Sequence, residues 1–111
     1  MKVLFKKSNL LKEGELYRYP ITIRVDDFTP KGAKEFASRM EAAHNTGQPV
    51  IPVVIDSYGG QVYSLMAMIA QIQNAEKPVA TIIEGKAMSC GAILSTFGEK
   101  GMRYMDPNAT V

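Results

Sequence analysis

The chain has 111 residues, of which 46% are hydrophobic and 22% charged, and its formal net charge is +2. This composition predicts a single globular domain and excludes collagen-like, disordered and disulfide-rich classes. The charge is small and spread along the chain, apart from a few lysines near the N-terminus, so we expect no nucleic-acid partner.

Residues 1–19 mix lysine, leucine, tyrosine and glutamate without a steady period, and we interpret them as an N-terminal segment that forms a loop or a strand. The apolar run from Val3 to Phe5 is too short for a signal peptide, and no other stretch approaches the ~20 apolar residues of a membrane span. The single cysteine, Cys90, fits a reducing compartment. We therefore expect a cytoplasmic protein without membrane association.

The first predicted elements are a strand and a helix. Apolar and polar residues alternate over 21–25, which indicates a strand. Thr29 and Pro30 have the residue types of a helix N-cap and a first helical turn. The predicted helix carries apolar residues at spacings of three and four, namely Ala33, Phe36, Ala37 and Met40. The turn-forming residues 45–49 are expected to end it.

A second strand, helix and strand follow. Residues 50–55 are almost all apolar, as in a strand of a parallel sheet that is covered on both faces. Pro52 lacks a backbone donor, which predicts an edge position or a local irregularity for this strand. The helix after Gly59-Gly60 is predicted to bury Val62, Leu65, Met66 and Ile69, and residues 79–83 are predicted to form the third strand.

A third helix is predicted from near Ser89 to about Gly98, and a fourth strand over residues 103–105. Strands that alternate with helices predict right-handed crossovers. The fold class is therefore α/β, with a mainly parallel sheet flanked by helices.

Two segments follow the C-terminal ends of predicted strands, where such sheets collect reactive groups. They are residues 56–60 and 85–92. The paired Gly59 and Gly60 are typical either of a tight turn or of backbone that approaches a ligand closely. Ser89 suits a nucleophile with open access, but equally suits an N-cap or a close helix contact.

Three motifs, in order, carry a family resemblance. Asp56-Ser57-Tyr58-Gly59-Gly60 resembles Asn-Ser-Pro-Gly-Gly, and Gly85-Lys86-Ala87-Met88-Ser89-Cys90-Gly91-Ala92 resembles Gly-x-Ala-x-Ser-x-x-Ala, both from the proteolytic subunits of Clp proteases (ClpP). Gly98-x-x-Gly101-x-Arg103, then Pro107-Asn108-Ala109, resembles the segment that leads to the catalytic histidine of that family. The resemblance implies a ClpP/crotonase-like fold of repeated β-β-α units, with residues 20–111 as a core that is incomplete at its C-terminus. Residues 1–19 would then be a possible axial loop or strand.

The resemblance also implies a site. Ser89 would be the nucleophile, and the backbone N–H groups of Gly60 and Cys90 would form the oxyanion hole. Gly59, Gly60 and Gln61 would bind the substrate, and no metal or cofactor is expected.

Two features separate this chain from the family pattern. Tyr58 and Asp56 replace the family's proline and asparagine. The family's histidine and aspartate would fall beyond Val111, so we expect the chain alone to be nearly inert. The only histidine, His44, is predicted at the opposite edge of the sheet, roughly 15–20 Å from Ser89, and is interpreted as a surface residue.

The implied function is that of a serine endopeptidase subunit of an ATP-dependent Clp-type protease, which hydrolyses peptide bonds of unfolded proteins. The implied partners are further copies of the chain in heptameric rings, an AAA+ unfoldase and unfolded polypeptide substrates.

Other functions stay open at this stage. One is a non-catalytic ring subunit or paralogue of the same family. Another is a signal peptide peptidase-like enzyme with a lysine base, for which Lys77, Lys86 and Lys100 are candidates. A crotonase-like enzyme is disfavoured by the peptidase-like motif around Ser89, and an α/β-hydrolase is disfavoured because Ala87 stands where its nucleophile motif has glycine.

Overall fold

The computed structural model describes residues 19–111, so the predicted N-terminal segment lies outside the described residues except for Tyr19. The strands are β1 (Ile23–Val25), β2 (Ile51–Ser57), β3 (Val79–Ala87) and β4 (Arg103–Met105), and the helices are α1 (Pro30–Asn45), α2 (Val62–Gln73) and α3 (Cys90–Ser95). Across residues 19–111, no helix combines the length and the apolar character that a bilayer span requires.

The four strands lie in the order β1-β2-β3-β4, and each neighbouring pair is parallel. One helix connects each strand to the next. Because such crossovers are right-handed, a sheet wound in a single direction carries all its helices on one face. Contacts between α1 and α2, and between α2 and α3, agree with this arrangement. The predicted α/β fold with a parallel sheet is therefore confirmed.

The hydrophobic core fills the space between the sheet and the helices. Alternate strand residues point into it, because side chains alternate between the two faces of a sheet. These strand residues are Ile23, Val25, Ile51, Val53, Ile55, Val79 and Ile83, and the helices contribute Phe36, Met40, Leu65, Met68 and Leu94. Full burial of each such side chain stabilises the fold by roughly 1.5–3 kcal/mol relative to exposure.

Helix α1 begins where the sequence predicts. The Oγ1 atom of Thr29 accepts a hydrogen bond from the N–H of Gly32 at 3.0 Å, and Pro30 is the first helical residue. Phe36 and Met40 are buried on the inner face, as expected from their spacing, and Ala43 extends that face by one turn.

Of the two alternatives predicted for the second strand, the edge position is wrong, because β2 lies between β1 and β3. A local irregularity does occur in β2, but near its C-terminal end. The register pairs Ile23 with Val53, so the position of Pro52 faces β1 just before its ladder begins. A donor at position 52 would point to the carbonyl of Ile21. That carbonyl instead accepts from the side-chain amide of Gln48 at 3.0 Å, so the missing N–H of Pro52 leaves no acceptor unpaired.

The predicted inner face of α2 is partly wrong. Leu65, Met68 and Ile72 are buried there, whereas Val62 and Met66 are exposed. The helix carries apolar residues around most of its circumference, so its periodicity does not distinguish the inner face.

The third strand is longer than predicted, and the third helix is shorter. Strand β3 continues to Ala87 through Gly85, which has a φ of 88°. Helix α3 ends at Ser95, and the chain then returns across β3 at Gly98. A Cβ on Gly98 would lie 2.5 Å from Oγ1 of Thr81, so this close crossing requires glycine.

We expect Thr29→Ala to lower the free energy of unfolding by about 1 kcal/mol, because one N-terminal N–H of α1 loses its acceptor. Urea unfolding followed by circular dichroism measures this loss. Thr29→Ser keeps a hydroxyl and should retain most of the stability. An equal loss in both variants would contradict a capping role for Thr29.

Candidate active site

The two predicted functional segments lie side by side at one edge of the sheet. Strands β2 and β3 are neighbours and run parallel, so their C-terminal ends meet at the same edge. The last paired residues are Ser57 and Ala87. Beyond them, the N–H of Met88 donates to the carbonyl of Ser57 at 3.0 Å. This bond fixes the turn that carries Ser89 to the end of β2.

Ser89 lies in a tight turn with an unusual backbone conformation. Its φ is 53° and its ψ is −116°, the values of the first central residue of a type II′ turn, a position that favours glycine. The N–H of Gly91 closes the turn by donating to the carbonyl of Met88 at 2.9 Å. Ser89 is the only non-glycine residue with positive φ among residues 19–111. Such strain costs about 1–3 kcal/mol and is concentrated at functional sites.

The alternative interpretation of Ser89 as a helix N-cap is not supported by the geometry. Ser89 does precede the first residue of α3, but its side chain accepts no capping hydrogen bond. The hydroxyl is therefore not used by the helix that it precedes.

Gly59 passes directly over the serine turn. A Cβ at position 59 would lie 3.0 Å from the Cβ of Ser89 and 3.1 Å from the carbonyl oxygen of Met88. The φ of Gly59 is 114°, which also requires glycine. Its N–H donates to Oγ of Ser57 at 3.0 Å. The glycine thus lets the two segments approach more closely than any side chain would allow.

Gly60 and Gln61 are held from the other side by Phe28. The N–H of Gln61 donates to the carbonyl of Phe28 at 2.8 Å, and a Cβ on Gly60 would lie 2.6 Å from that oxygen. The carbonyl of Gln61 accepts from the N–H of Leu65 at 3.1 Å. Both backbone groups of Gln61 are therefore used within the protein, which leaves its exposed side chain for any substrate contact.

The N–H groups of Gly60 and Cys90 take no part in the backbone hydrogen bonds formed in the turns and loops of residues 19–111. The thiol of Cys90 is buried and contacts the carbonyl oxygen of Gly60 at 3.5 Å, a weak hydrogen bond. It packs between the two segments and joins them. The structure thus brings together Ser89, Gly59, Gly60 and Cys90, while their catalytic roles stay predictions.

A charged cluster lies next to these residues. Nζ of Lys86 is 2.8 Å from Oδ1 of Asp56 and 4.5 Å from the centroid of the Tyr58 ring. The hydrogen bond from Lys86 lowers the pKa of the Asp56 carboxyl, and the same bond raises the pKa of Lys86. The ion pair is lost as pH falls through the lowered pKa of Asp56 or rises through the raised pKa of Lys86. Lys86 therefore stays protonated at neutral pH and is a poor candidate for a general base.

The other candidate bases lie at the opposite edge of the sheet. Lys77 precedes β3, whereas Ser89 follows it, and the nine residues of that strand separate them by about 30 Å. Lys100 lines the same surface depression as Lys77. Burial lowers the pKa of Lys77, and its ammonium donates to the carbonyl of Gln48 at 2.7 Å.

His44 has a structural role at that distant edge. Its Nδ1 bonds the carbonyl of Met40 at 2.8 Å, and its Nε2 accepts from the N–H of Glu76 at 3.1 Å. The imidazole therefore joins the end of α1 to the segment after α2. The prediction that His44 lies far from Ser89 is confirmed.

Sequence reasoning missed two residues that support the site. Phe28 lies 32 positions before Gly60 and carries no polar side chain, so nothing in the sequence relates it to the glycines. In the sequence, Lys86 stands out only as a candidate base. The replacement of an asparagine by Asp56 was the signal that a cationic partner should lie nearby.

Comparisons with known proteins agree on one family. A sequence model of the family described as Clp protease matches residues 12–111. The chain is 37% identical over 67 residues to the ATP-dependent Clp protease proteolytic subunit 1 of Chlamydia trachomatis serovar D, which covers 60% of this chain and 34% of that protein. It is 35% identical over 85 residues to the protein of the same name from Chlamydia muridarum, which covers 75% of this chain and 44% of that protein. The chain thus spans less than half the length of these relatives.

We expect Ser89→Gly to be more stable than Ser89→Ala by about 1 kcal/mol, because glycine relieves the positive-φ strain and alanine does not. Urea unfolding of the two variants under identical conditions measures the difference. Ile93, an exposed residue inside α3, provides the control, since glycine should there be less stable than alanine by about 1 kcal/mol. Equal stability of the two Ser89 variants would contradict the strain.

We expect His44→Ala to lower the free energy of unfolding by about 1–2 kcal/mol, because two hydrogen bonds are lost. The rate at which Ser89 reacts with an active-site probe should not change. Denaturant unfolding and probe kinetics on the same preparation test both statements. A large fall in the reaction rate of a folded variant would contradict the distance between His44 and Ser89.

Proposed function

The chain belongs to the Clp protease family, and from this premise we propose that it carries the nucleophile of a serine endopeptidase subunit. The nucleophile is Ser89. The support comes from one feature, the strained turn that holds the Ser89 side chain free of helix capping and directly beside Gly59. A strained residue of this kind persists only where the surrounding structure holds it in place.

The proposed reaction is attack on a peptide bond. Oγ of Ser89 forms a bond to the carbonyl carbon while its proton passes to a base, and the negative charge develops on the carbonyl oxygen. The N–H groups of Gly60 and Cys90 donate to this oxyanion. The bond from carbon to nitrogen then breaks, and the amine leaves with a proton. Each of the two N–H donors to the oxyanion accelerates such a reaction by about 10²–10³-fold.

None of the candidate bases within residues 19–111 is placed to serve Ser89. His44 is bonded at the opposite edge, Lys86 is held protonated by Asp56, and Lys77 lies about 30 Å away along β3. The family resemblance implies a histidine a few residues after Pro107-Asn108-Ala109. These placements also argue against the alternative of a serine and lysine pair built from residues 19–111.

The proposed substrate is an extended, unfolded polypeptide. Gly59 and Gly60 present backbone without side chains beside Ser89, and an extended peptide is recognised through its backbone in such a groove. We further propose, from the family, that copies of the chain assemble in rings, that an AAA+ unfoldase supplies the substrate and that the protein works in the cytoplasm.

We expect a fluorophosphonate probe to modify Ser89 in the full-length protein, with the adduct located by peptide mass spectrometry. Ser89→Ala should lose the adduct and should lower peptide hydrolysis by at least ~10³-fold, because the attacking oxygen is absent.

Ser95→Ala is the matched control for this experiment. It removes another serine hydroxyl six residues away in the same segment and should leave labelling and hydrolysis intact. An unmodified Ser89 in a folded parent protein would refute the peptidase function and favour a non-catalytic ring subunit.

A further inference from the structure

The pairing of β2 with β3 is interrupted immediately before the serine turn. Ile55 pairs with Ile83 and Ser57 pairs with Ala87, so a single residue of β2, Asp56, lies opposite three residues of β3. Regular ladder pairing is therefore lost over this step. Other contacts must hold the two strand ends in register where they enter the site.

The ion pair of Asp56 and Lys86 spans this interruption. The carboxylate of Asp56 lies over Gly85, where a Cβ would be 2.8 Å from Oδ1, so glycine makes room for it. Nζ of Lys86 bonds Oδ1 of Asp56 at 2.8 Å. The side chains thus form a link between β2 and β3 where the backbone pairing is broken.

The same ammonium also reaches the glycine segment. It lies 4.5 Å from the centroid of the Tyr58 ring, a distance typical of a cation–π contact. Tyr58 immediately precedes Gly59. One lysine on β3, three residues before Ser89, therefore holds both the end of β2 and the start of the glycine segment.

A second ion pair on the same sheet face provides a comparison. Arg24 bonds Glu84 at 3.0 Å, and both side chains are exposed. Arg24 pairs with Val54, in the uninterrupted part of the sheet, whereas Glu84 is one of the three residues of β3 opposite Asp56, so this ion pair lies beside the interruption but does not link β2 to β3. The charge of Arg24 helps to lower the pKa of Asp56, but within residues 19–111 its guanidinium bonds only Glu84 and neither the glycine segment nor the serine turn, so its loss should not move them.

We infer that Lys86, with Asp56 and Tyr58, is a positioning residue that fixes Gly59 and Gly60 relative to Ser89. The inference rests on the proposed function, because it assigns these side chains to that same site. Misplacement of the glycine segment moves the N–H of Gly60 away from the developing oxyanion. This donor acts mainly in the transition state, so its displacement lowers kcat more than it changes KM.

The test compares Lys86→Met with Arg24→Met in the full-length protein. We expect Lys86→Met to lower kcat for a fluorogenic peptide about ten-fold with KM changed less than about two-fold, as a misplacement below 1 Å would cause. Arg24→Met should leave both constants unchanged. The Arg24 pair is exposed and the Lys86 pair is only half-buried, so neither variant should unfold.

Two further variants separate positioning from packing. Lys86→Arg keeps a cation within reach of Asp56 and Tyr58 and should restore most of kcat. Asp56→Asn keeps the shape of the side chain but removes its charge. Like Lys86→Met, it should lower kcat. Equal kinetics of Lys86→Met and Arg24→Met, or no recovery in Lys86→Arg, would overturn the inference.

Hydrogen–deuterium exchange provides a readout that does not depend on activity. In Lys86→Met the N–H of Met88, bonded to Ser57, should exchange faster than in the parent, whereas Arg24→Met should match the parent. If the parent protein is itself unreactive, the proposed function fails, and this exchange difference alone decides on the positioning role. Unchanged exchange in Lys86→Met would overturn that role.

Discussion

The arrangement of the candidate site depends on the parallel pairing of β2 with β3. Because the two strands run in the same direction, both of their C-terminal loops meet at one edge, although nearly thirty residues separate them in the sequence. The core formed by α1, α2 and the inner face of the sheet holds this pair in place. The remaining contacts of the site, from the bond between Met88 and Ser57 to the packing of Cys90, adjust two segments that the sheet has already brought together.

Close approach at this edge requires glycine at specific positions. Gly59 passes over Ser89 and Gly60 passes over Phe28, and at both positions a Cβ would lie 3.0 Å or less from a neighbouring atom. Ser89 shows the opposite situation, because it is a non-glycine residue at a positive φ, where the backbone favours glycine. A strained serine beside glycine residues costs the turn free energy. It leaves the hydroxyl of the serine near two N–H groups. Such an arrangement suits acyl transfer, which needs a nucleophile and oxyanion donors together.

Most of the elements were predictable, and the errors have identifiable causes. The cap at Thr29 and the spacing of Phe36 and Met40 predicted α1, because both signals are local. Pro52 predicted an edge position or a local irregularity, and the edge position was wrong because the sequence does not reveal that Gln48 supplies the amide that Ile21 needs. The inner face of α2 was mistaken at Met66, because apolar residues surround that helix and only packing against the sheet selects the buried face.

The sequence alone determined the fold class, the family resemblance and the residue types of the site, because motifs, caps and alternating elements each depend on residues that are close together in the chain. The tertiary structure alone decided that Ser89 adopts a strained turn, that Phe28 supports Gly60 and that Lys86 is paired with Asp56, which makes it a poor candidate for a base. Each of these depends on contacts between residues about 30 positions apart, or on a backbone angle imposed by them. Local sequence carries no record of such distances, because they are set by the register between strands and by packing in the core.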